Sequence, residues 1–214
     1  MEVAAPDAAL SIAVHKRLRF LEQPERLDGR GARIYLRLPR PDDRREFIAL
    51  RKASRKFHAP FELRTSDGKP MTLSRLFRMF QDQGPGTSRE RWLICAKIDD
   101  AILGGITIGA IRGEPLQSAV LGYWIGAPFA RQGFMGEALE LAIRRAFGGL
   151  KLRRLEADVL PENTASKRLL RRSGFTKEGL AREFAHVGGA WRDHERWALL
   201  ARDRRKAQRP QSRR

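Results

Sequence analysis

A strand that runs into a glycine-bearing loop and then opens a helix restricts the fold of this chain more than any other feature. The segment Gly122 to Leu139 reads G-Y-W-I-G-A-P-F-A-R-Q-G-F-M-G-E-A-L. Its first part has strand composition and its last part helical periodicity, with Arg131, Gln132, Gly133 and Gly136 at the junction. The first amides of such a helix have no intrahelical acceptor, and the helix dipole adds positive potential there. Glycines let the backbone approach a ligand closely, so the junction suits a pyrophosphate. From this segment alone two readings stay open, a phosphate cradle and an ordinary strand-to-helix turn. Neither Walker A spacing nor G-x-G-x-x-G is present, which argues against a nucleoside triphosphatase or a dehydrogenase.

The flanking pattern sets an α/β order. Arg33 to Leu38 alternates as a strand; Pro39 and Pro41 end it, and Asp42 and Asp43 suit the first turn of a helix through Phe47, Leu50 and Ala53. Thr72 precedes a second helix with Leu73, Leu76, Phe77 and Phe80 on one face. Gln83 to Arg89 reads as a loop. Strands follow at Trp92–Ile98, Leu103–Ile111 and Ser118–Ile125, with Asp99 and Asp100 in a turn. Then come a helix over Met135–Phe147, a strand over Arg154–Leu160, and a helix over Thr164–Ser173 stopped by Gly174. A hairpin, Leu180–Val187 with Trp191–Leu200, turns over Gly188 and Gly189. Residues 1–30 read as an extension with a short helix through Leu18, Phe20 and Leu21. Residues 31–202 form the domain, and 203–214 a basic, disordered tail.

With 214 residues, 42% of them hydrophobic, the chain can bury the core of one domain. No apolar run reaches the roughly 18 residues of a membrane-spanning helix, and Met1 to Leu10 lacks signal architecture, so export is not expected. The lone Cys95 reads as a buried strand residue rather than a nucleophile. It cannot form an intramolecular disulfide, which fits a reducing cytoplasm. The formal charge of +18 attracts anions, including nucleic acid, ribosomes and polyphosphates. The 34 arginines against 9 lysines leave two explanations open, a nucleic-acid partner or a GC-rich genome. Aromatics are not interleaved with the charges of the tail, so it offers no base-stacking platform.

Two motifs in order point to a family. Q-G-F-M-G-E-A-L, then P-E-N-T-A-S-K-R-L-L-R-R-S-G-F from Pro161 to Phe175, resembles the coenzyme A signature of the GNAT acetyltransferase superfamily. Asn163, Ser166, Gly174 and Phe175 match its second motif in spacing. G-A-W-R-D-H (Gly189 to His194) and S-R-K-F-H-A-P-F-E (Ser54 to Glu62) are similar to the Rim branch, the ribosomal-protein N-terminal acetyltransferases, and especially to its alanine-directed RimJ type. The likeness runs from Arg33 to Arg202. It implies an α/β (α+β) GNAT fold, a mixed sheet of about seven strands splayed between strands 4 and 5 and flanked by about four helices. It also implies acetyl-CoA as co-substrate and no metal. The pantetheine would lie in the wedge, bonded to backbone near Trp124 and Ile125 and to Asn163. The pyrophosphate would sit on the amides of Gln132, Gly133, Phe134, Met135 and Gly136, with Arg131 offering charge. The implied acceptor is a protein N-terminus, alanine by the RimJ likeness, on a ribosomal protein, by a cytoplasmic monomer or dimer near the ribosome or RNA and away from membranes. A drug or polyamine acetyltransferase and a non-catalytic coenzyme A-binding adaptor are the alternatives.

Acetyl transfer needs a neutral amine, a polarised thioester carbonyl and a proton for the leaving thiolate. Many superfamily members supply that proton from a tyrosine seven residues after the asparagine, where this chain has Leu170. The Rim likeness implies Ser166 as the substitute; the other reading of Ser166 is a helix-start serine bonding backbone. Glu183, on the first hairpin strand, is the expected base, acting through water. Glu156 and Asp158 share the strand face opposite Leu155, Ala157 and Val159 and are the other candidate carboxylates. His186 and His194 are spaced for neither zinc nor a triad, and Trp191 and Trp197 read as packing.

Overall fold

Eight strands build one sheet in the computed structural model, which describes residues 25–62, 65, 69–82 and 88–208, with side chains to residue 204. They are β1 (Arg26–Asp28), β2 (Ile34–Arg37), β3 (Glu90–Ala96), β4 (Ile102–Arg112), β5 (Ser118–Ile125), β6 (Arg154–Val159), β7 (Thr176–Val187) and β8 (Ala190–Leu200), in the order β1-β2-β3-β4-β5-β6-β8-β7. Every neighbouring pair is antiparallel except β5 and β6. The α-helices are α1 (Arg44–Ala53), α2 (Arg55–His58), α3 (Leu73–Gln81), α4 (Phe134–Arg144), α5 (Thr164–Arg172) and α6 (Ala201–Gln208).

Two elements reach beyond the expected domain bounds. β1 lies inside the stretch read as an extension; three residues are too few to show alternation, and what holds them is pairing with β2 and the Arg26 guanidinium 3.6 Å over the Tyr35 ring. α6 runs from Ala201, at the end of the expected domain, into the stretch read as a disordered tail, and is tied down by an Arg204–Glu140 ion pair. The sheet therefore has eight strands rather than about seven. The helix expected through Leu18, Phe20 and Leu21 lies outside the described residues, as do residues 83–87 of the expected loop and 209–214 of the tail.

Strand alternation divides the core between the two faces. Ile34, Leu36, Trp92, Ile94, Ile106, Ile108, Leu121 and Leu155 pack beneath Leu139, Ala142 and Ile143 of α4 and Leu170 of α5. On the opposite face Tyr35, Leu93, Cys95 and Ile102 meet Phe47 of α1 and Phe77 and Phe80 of α3. The Phe47 ring stands 5.2 and 5.4 Å from those of Phe77 and Phe80, and each such burial stabilises by about 1.5–3 kcal/mol. Burial pushes the Cys95 thiol up to about 11, so it is inert packing, as its sequence context indicates. Local signals set the helix ends. Thr72 caps α3 by accepting the Arg75 amide at 3.3 Å. After α5, Gly174 takes φ +89 and the Phe175 amide reaches back to the Leu170 carbonyl at 3.0 Å.

The one parallel junction is short. β5 and β6 pair only at Ser118↔Arg154, Ala119↔Leu155 and Val120↔Glu156. Beyond these, Leu121–Ile125 and Ala157–Val159 part, while β6 stays paired with β8 as far as Val159↔Glu195. This is the expected splay, between the fourth and fifth strands when β1 is left out of the count.

Candidate active site

Ladder geometry decides which backbone groups face the gap. The Gly126 amide donates to the Leu103 carbonyl at 2.8 Å, while Ile125 stands opposite Gly104. In such an antiparallel register Ile125 and Tyr123 direct their own N–H and C=O groups away from β4, toward the parted strands. Trp124 spends its backbone bonds on Gly105, and its ring packs edge-on against Phe47 at 5.3 Å. The backbone groups lining the wedge thus belong to Tyr123 and Ile125 rather than to Trp124.

The S-R-K-F-H-A-P-F-E motif clamps the end of β5. The Ser54 hydroxyl accepts the Ala127 amide at 2.9 Å. His58 Nδ1 lies 3.0 Å from an Arg51 Nη1 that can only donate, so the ring proton sits on Nε2 and donates to the Ile125 carbonyl at 2.7 Å. Arg51 also donates to Glu62 at 2.9 Å and lies 5.0 Å over the Trp124 ring. Burial, outweighing the Ile125 bond, lowers His58 below its ordinary range and keeps the ring neutral at pH 7.

Past β5 the chain enters the glycine loop. Arg131 and Gly133 take φ +63 and +88, and Gly133 is the residue from which α4 starts. The Gly136 and Glu137 amides bond the Gly133 carbonyl at 2.9 and 3.3 Å, whereas those of Arg131 to Met135 meet no acceptor among the described residues. Arg33, which the sequence reading passed over, braces this loop from β2's start. Its Nε donates to Glu137 at 2.8 Å, its amide to the same carboxylate at 2.7 Å and its Nη2 to the Gln132 carbonyl at 2.8 Å. Its guanidinium stacks 4.4 Å over Phe134. Arg33 and Gln132 are 99 residues apart, beyond any local spacing rule.

On the α5 side of the gap, the Asn163 side chain caps the helix by accepting the Ser166 amide at 3.0 Å. The Ser166 hydroxyl does not bond backbone; it lies 2.5 Å from the Tyr123 hydroxyl. Burial pushes Tyr123 up to about 12, against the opposing pull of the Ser166 bond. Either hydroxyl can donate to the other; with the phenol held protonated, the arrangement in which Tyr123 donates leaves the Ser166 proton free for a third group. In the sequence Ser166 alone stands out; Tyr123 comes from another element, 43 residues away. Leu170 is fully buried in the core and offers no chemistry.

The structure does not bring Glu183 to this pair. It sits exposed with φ +47 in the irregular stretch between Ala181 and Ala185 of β7, the outermost strand, its amide donating to Asp193 at 2.8 Å. Glu156 lies at the closed end of the gap, held by Arg154 at 2.7 Å and Arg112 at 3.2 Å. Asp158 lies two residues further, where the strands have parted, with 13% of its side chain exposed. Taken together, the site offers open amides at a helix start, unpaired backbone along a slot, and a hydroxyl proton beside it. It suits a polyphosphate with a thin polar tail.

Residues 33–176 match the acetyltransferase (GNAT) domain family. Among curated relatives, Probable N-acetyltransferase YjcK of Bacillus subtilis (strain 168) is 32% identical over 176 residues, covering 81% of this chain and 97% of that protein. The ribosomal protein uS5-alanine N-acetyltransferase of Escherichia coli (strain K12) is 40% identical over 93 residues, 44% of this chain and 47% of that protein. Among solved structures, Mycobacterium smegmatis RimJ in complex with CoA-disulfide superposes with a TM-score of 0.72 at 28% identity, covering 86% of this chain and 90% of that one.

Proposed function

The chain belongs to the GNAT N-acetyltransferase family, and on that premise we propose that it moves the acetyl group of acetyl-CoA onto the N-terminal α-amine of a protein, an alanine on a ribosomal protein in the cytoplasm. The observation that carries this reading is the slot between β5 and β6, with open amides at one end and the Tyr123–Ser166 hydroxyl pair on its flank. Acetyl-CoA supplies an activated thioester. The open amides of Gln132, Gly133, Phe134 and Met135 would hold its pyrophosphate with Arg131, whereas the amide of Gly136, expected among them, is spent on the Gly133 carbonyl; Tyr123 and Ile125 backbone would hold its pantetheine beside Asn163. Tyr123 donates to Ser166 Oγ, and Ser166 passes its own proton to the departing sulfur.

Basicity favours the α-amine as acceptor. With an ordinary pKa of about 8, roughly a tenth of it is neutral at pH 7, against well under a thousandth of a lysine. The +18 charge also repels a cationic side chain or polyamine, and the uS5-alanine relative names the acceptor class. The test offers acetyl-CoA with a peptide carrying N-terminal alanine and an internal lysine, spermidine being present in competition. Fragmentation is expected to place the acetyl group on the terminal nitrogen. Acetyl mainly on lysine or spermidine would overturn the assignment in favour of a small-amine enzyme. Coenzyme A binding with no acetyl transfer at all would favour the adaptor.

A further inference from the structure

We propose that Asp158 is the general base, a carboxylate that accepts the acceptor ammonium on the sheet face opposite the Tyr123–Ser166 pair. The inference rests on the acetyltransferase reading above. Leu155, Ala157 and Val159 point into the core under α4 and α5, so Asp158 points the other way. The helix-covered core on that face contains residues from β2 to β5 and none from β6 to β8. Extending the Val120↔Glu156 register by two residues sets Asp158 level with Gly122, where a Cβ would meet nothing within 4 Å. The carboxylate therefore borders the gap on its uncovered side.

The groups around it suit a base. Arg196 of β8 stands opposite it in the sheet, with Nε 3.5 Å from Asp158 Oδ1 and 57% of its side chain exposed, so an arriving ammonium can compete for the carboxylate. His194 of β8 and Glu156 of β6 also act on it. Burial raises Asp158 above the ordinary carboxylate range; Arg196 opposes this, Glu156 adds to it and His194 opposes it. The competing bases are committed elsewhere. Glu156 is held by two arginines, both His58 nitrogens are bonded, and Glu183 lies on the outermost strand.

The proton account closes. An ammonium N–H bond breaks and its proton passes to Asp158, then to solvent. The freed lone pair forms the N–C bond to the thioester carbonyl carbon, and the C–S bond breaks with its electron pair on sulfur. Sulfur takes the Ser166 proton. The second nitrogen proton leaves through water and restores the serine hydroxyl, so base and proton donor work from opposite faces of the slot.

The test is the pH profile of kcat/KM for an N-terminal alanine peptide, with peptide affinity for the coenzyme A-loaded protein measured by calorimetry. Wild type is expected to stay nearly flat below the amine's own pKa of about 8, because Asp158 strips the ammonium. Asp158→Asn, left with the neutral fraction of the amine alone, should fall about tenfold per pH unit below about pH 8 and rejoin wild type above about pH 9. It should also bind the peptide about tenfold more weakly at pH 7. Asp158→Glu should keep the plateau, and coenzyme A affinity measured in parallel reports folding. An Asp158→Asn profile parallel to wild type overturns the inference alone, as does loss of the plateau in Glu183→Gln or His194→Gln instead. A wild-type protein that acetylates no α-amine overturns the functional reading and the inference with it.

Discussion

Replacing Gly133 tests whether the loop before α4 is a cradle whose shape depends on one backbone conformation. Gly133 has φ +88 and ψ −12, in the left-handed region that costs an L-residue about 1–2 kcal/mol. A Cβ there would also stand 3.2 Å from Arg33 Nη2, a flexible end that can yield, but the same atom holds the Gln132 carbonyl. Gly133→Ala should therefore lose about 1–2 kcal/mol, seen as a melting temperature lower by about 2–8 °C in a chain of this size. Valine, branched at Cβ, should lose more, or relax the loop toward negative φ. Relaxation turns the amides of Arg131 to Met135 away from their common direction. Each charge-assisted bond to phosphate lost costs about 1.5–3 kcal/mol, so two lost bonds put coenzyme A binding at least about a hundredfold weaker. Calorimetric titration with coenzyme A, beside thermal unfolding without it, reads both quantities. Gly136→Ala separates strain from crowding, since its Cβ would meet only Leu169 Cδ1 at 4.0 Å, and an affinity loss there reports how near the ligand comes to the helix. A folded Gly133→Val protein that binds coenzyme A as tightly as wild type would refute the cradle.

Two further outcomes are expected. Ser166→Ala should lower kcat by about ten- to a thousandfold with little change in KM; Tyr123→Phe should lower it less, and the double variant should match Ser166→Ala, because the two hydroxyls act in series. Additive losses in that cycle, or a rise in KM alone, would assign Ser166 to binding. Because burial holds His58 below the ordinary imidazole value of 6.5, the folded state binds fewer protons than the unfolded chain below that pH. The stability His58 contributes is therefore whole above pH 6.5 and is lost as pH falls from there toward the folded-state pKa. His58→Gln, whose amide can make both bonds, should flatten that part of the thermal-stability profile, and an unchanged slope would place the pH dependence elsewhere.

Elements with strong local periodicity were legible in the sequence. β5 begins and ends where composition indicated, and Thr72 and Gly174 mark the helix ends they were read to mark. β1 escaped because its evidence lies in its partner β2, not in its own three residues. The glycine turn that opens α4 was legible because one segment builds it, and the candidate site's contacts were hidden where distant segments meet. Arg33 reaching Gln132, Tyr123 reaching Ser166 and His58 reaching Ile125 are contacts across 99, 43 and 67 residues, which spacing cannot show. Carboxylates posed the same difficulty. Glu183, Glu156 and Asp158 look alike in sequence, and only strand order, ion pairing and the point where β5 leaves β6 tell them apart.

The short β5–β6 junction has a consequence for solubility. A sheet usually keeps its unpaired backbone at two outer rims, where charge or brevity discourages foreign strands from adding on. This sheet has a third rim in its middle, because the outer half of β5 carries backbone groups turned toward a neighbour that has moved away. A stray extended peptide could dock there as readily as a ligand. The rim is only five residues long, α4 and α5 wall one face of it, and His58 already occupies the Ile125 carbonyl at its end. The same arrangement that leaves an entrance for a slender polar chain therefore leaves too little ladder for an intruding strand to nucleate aggregation.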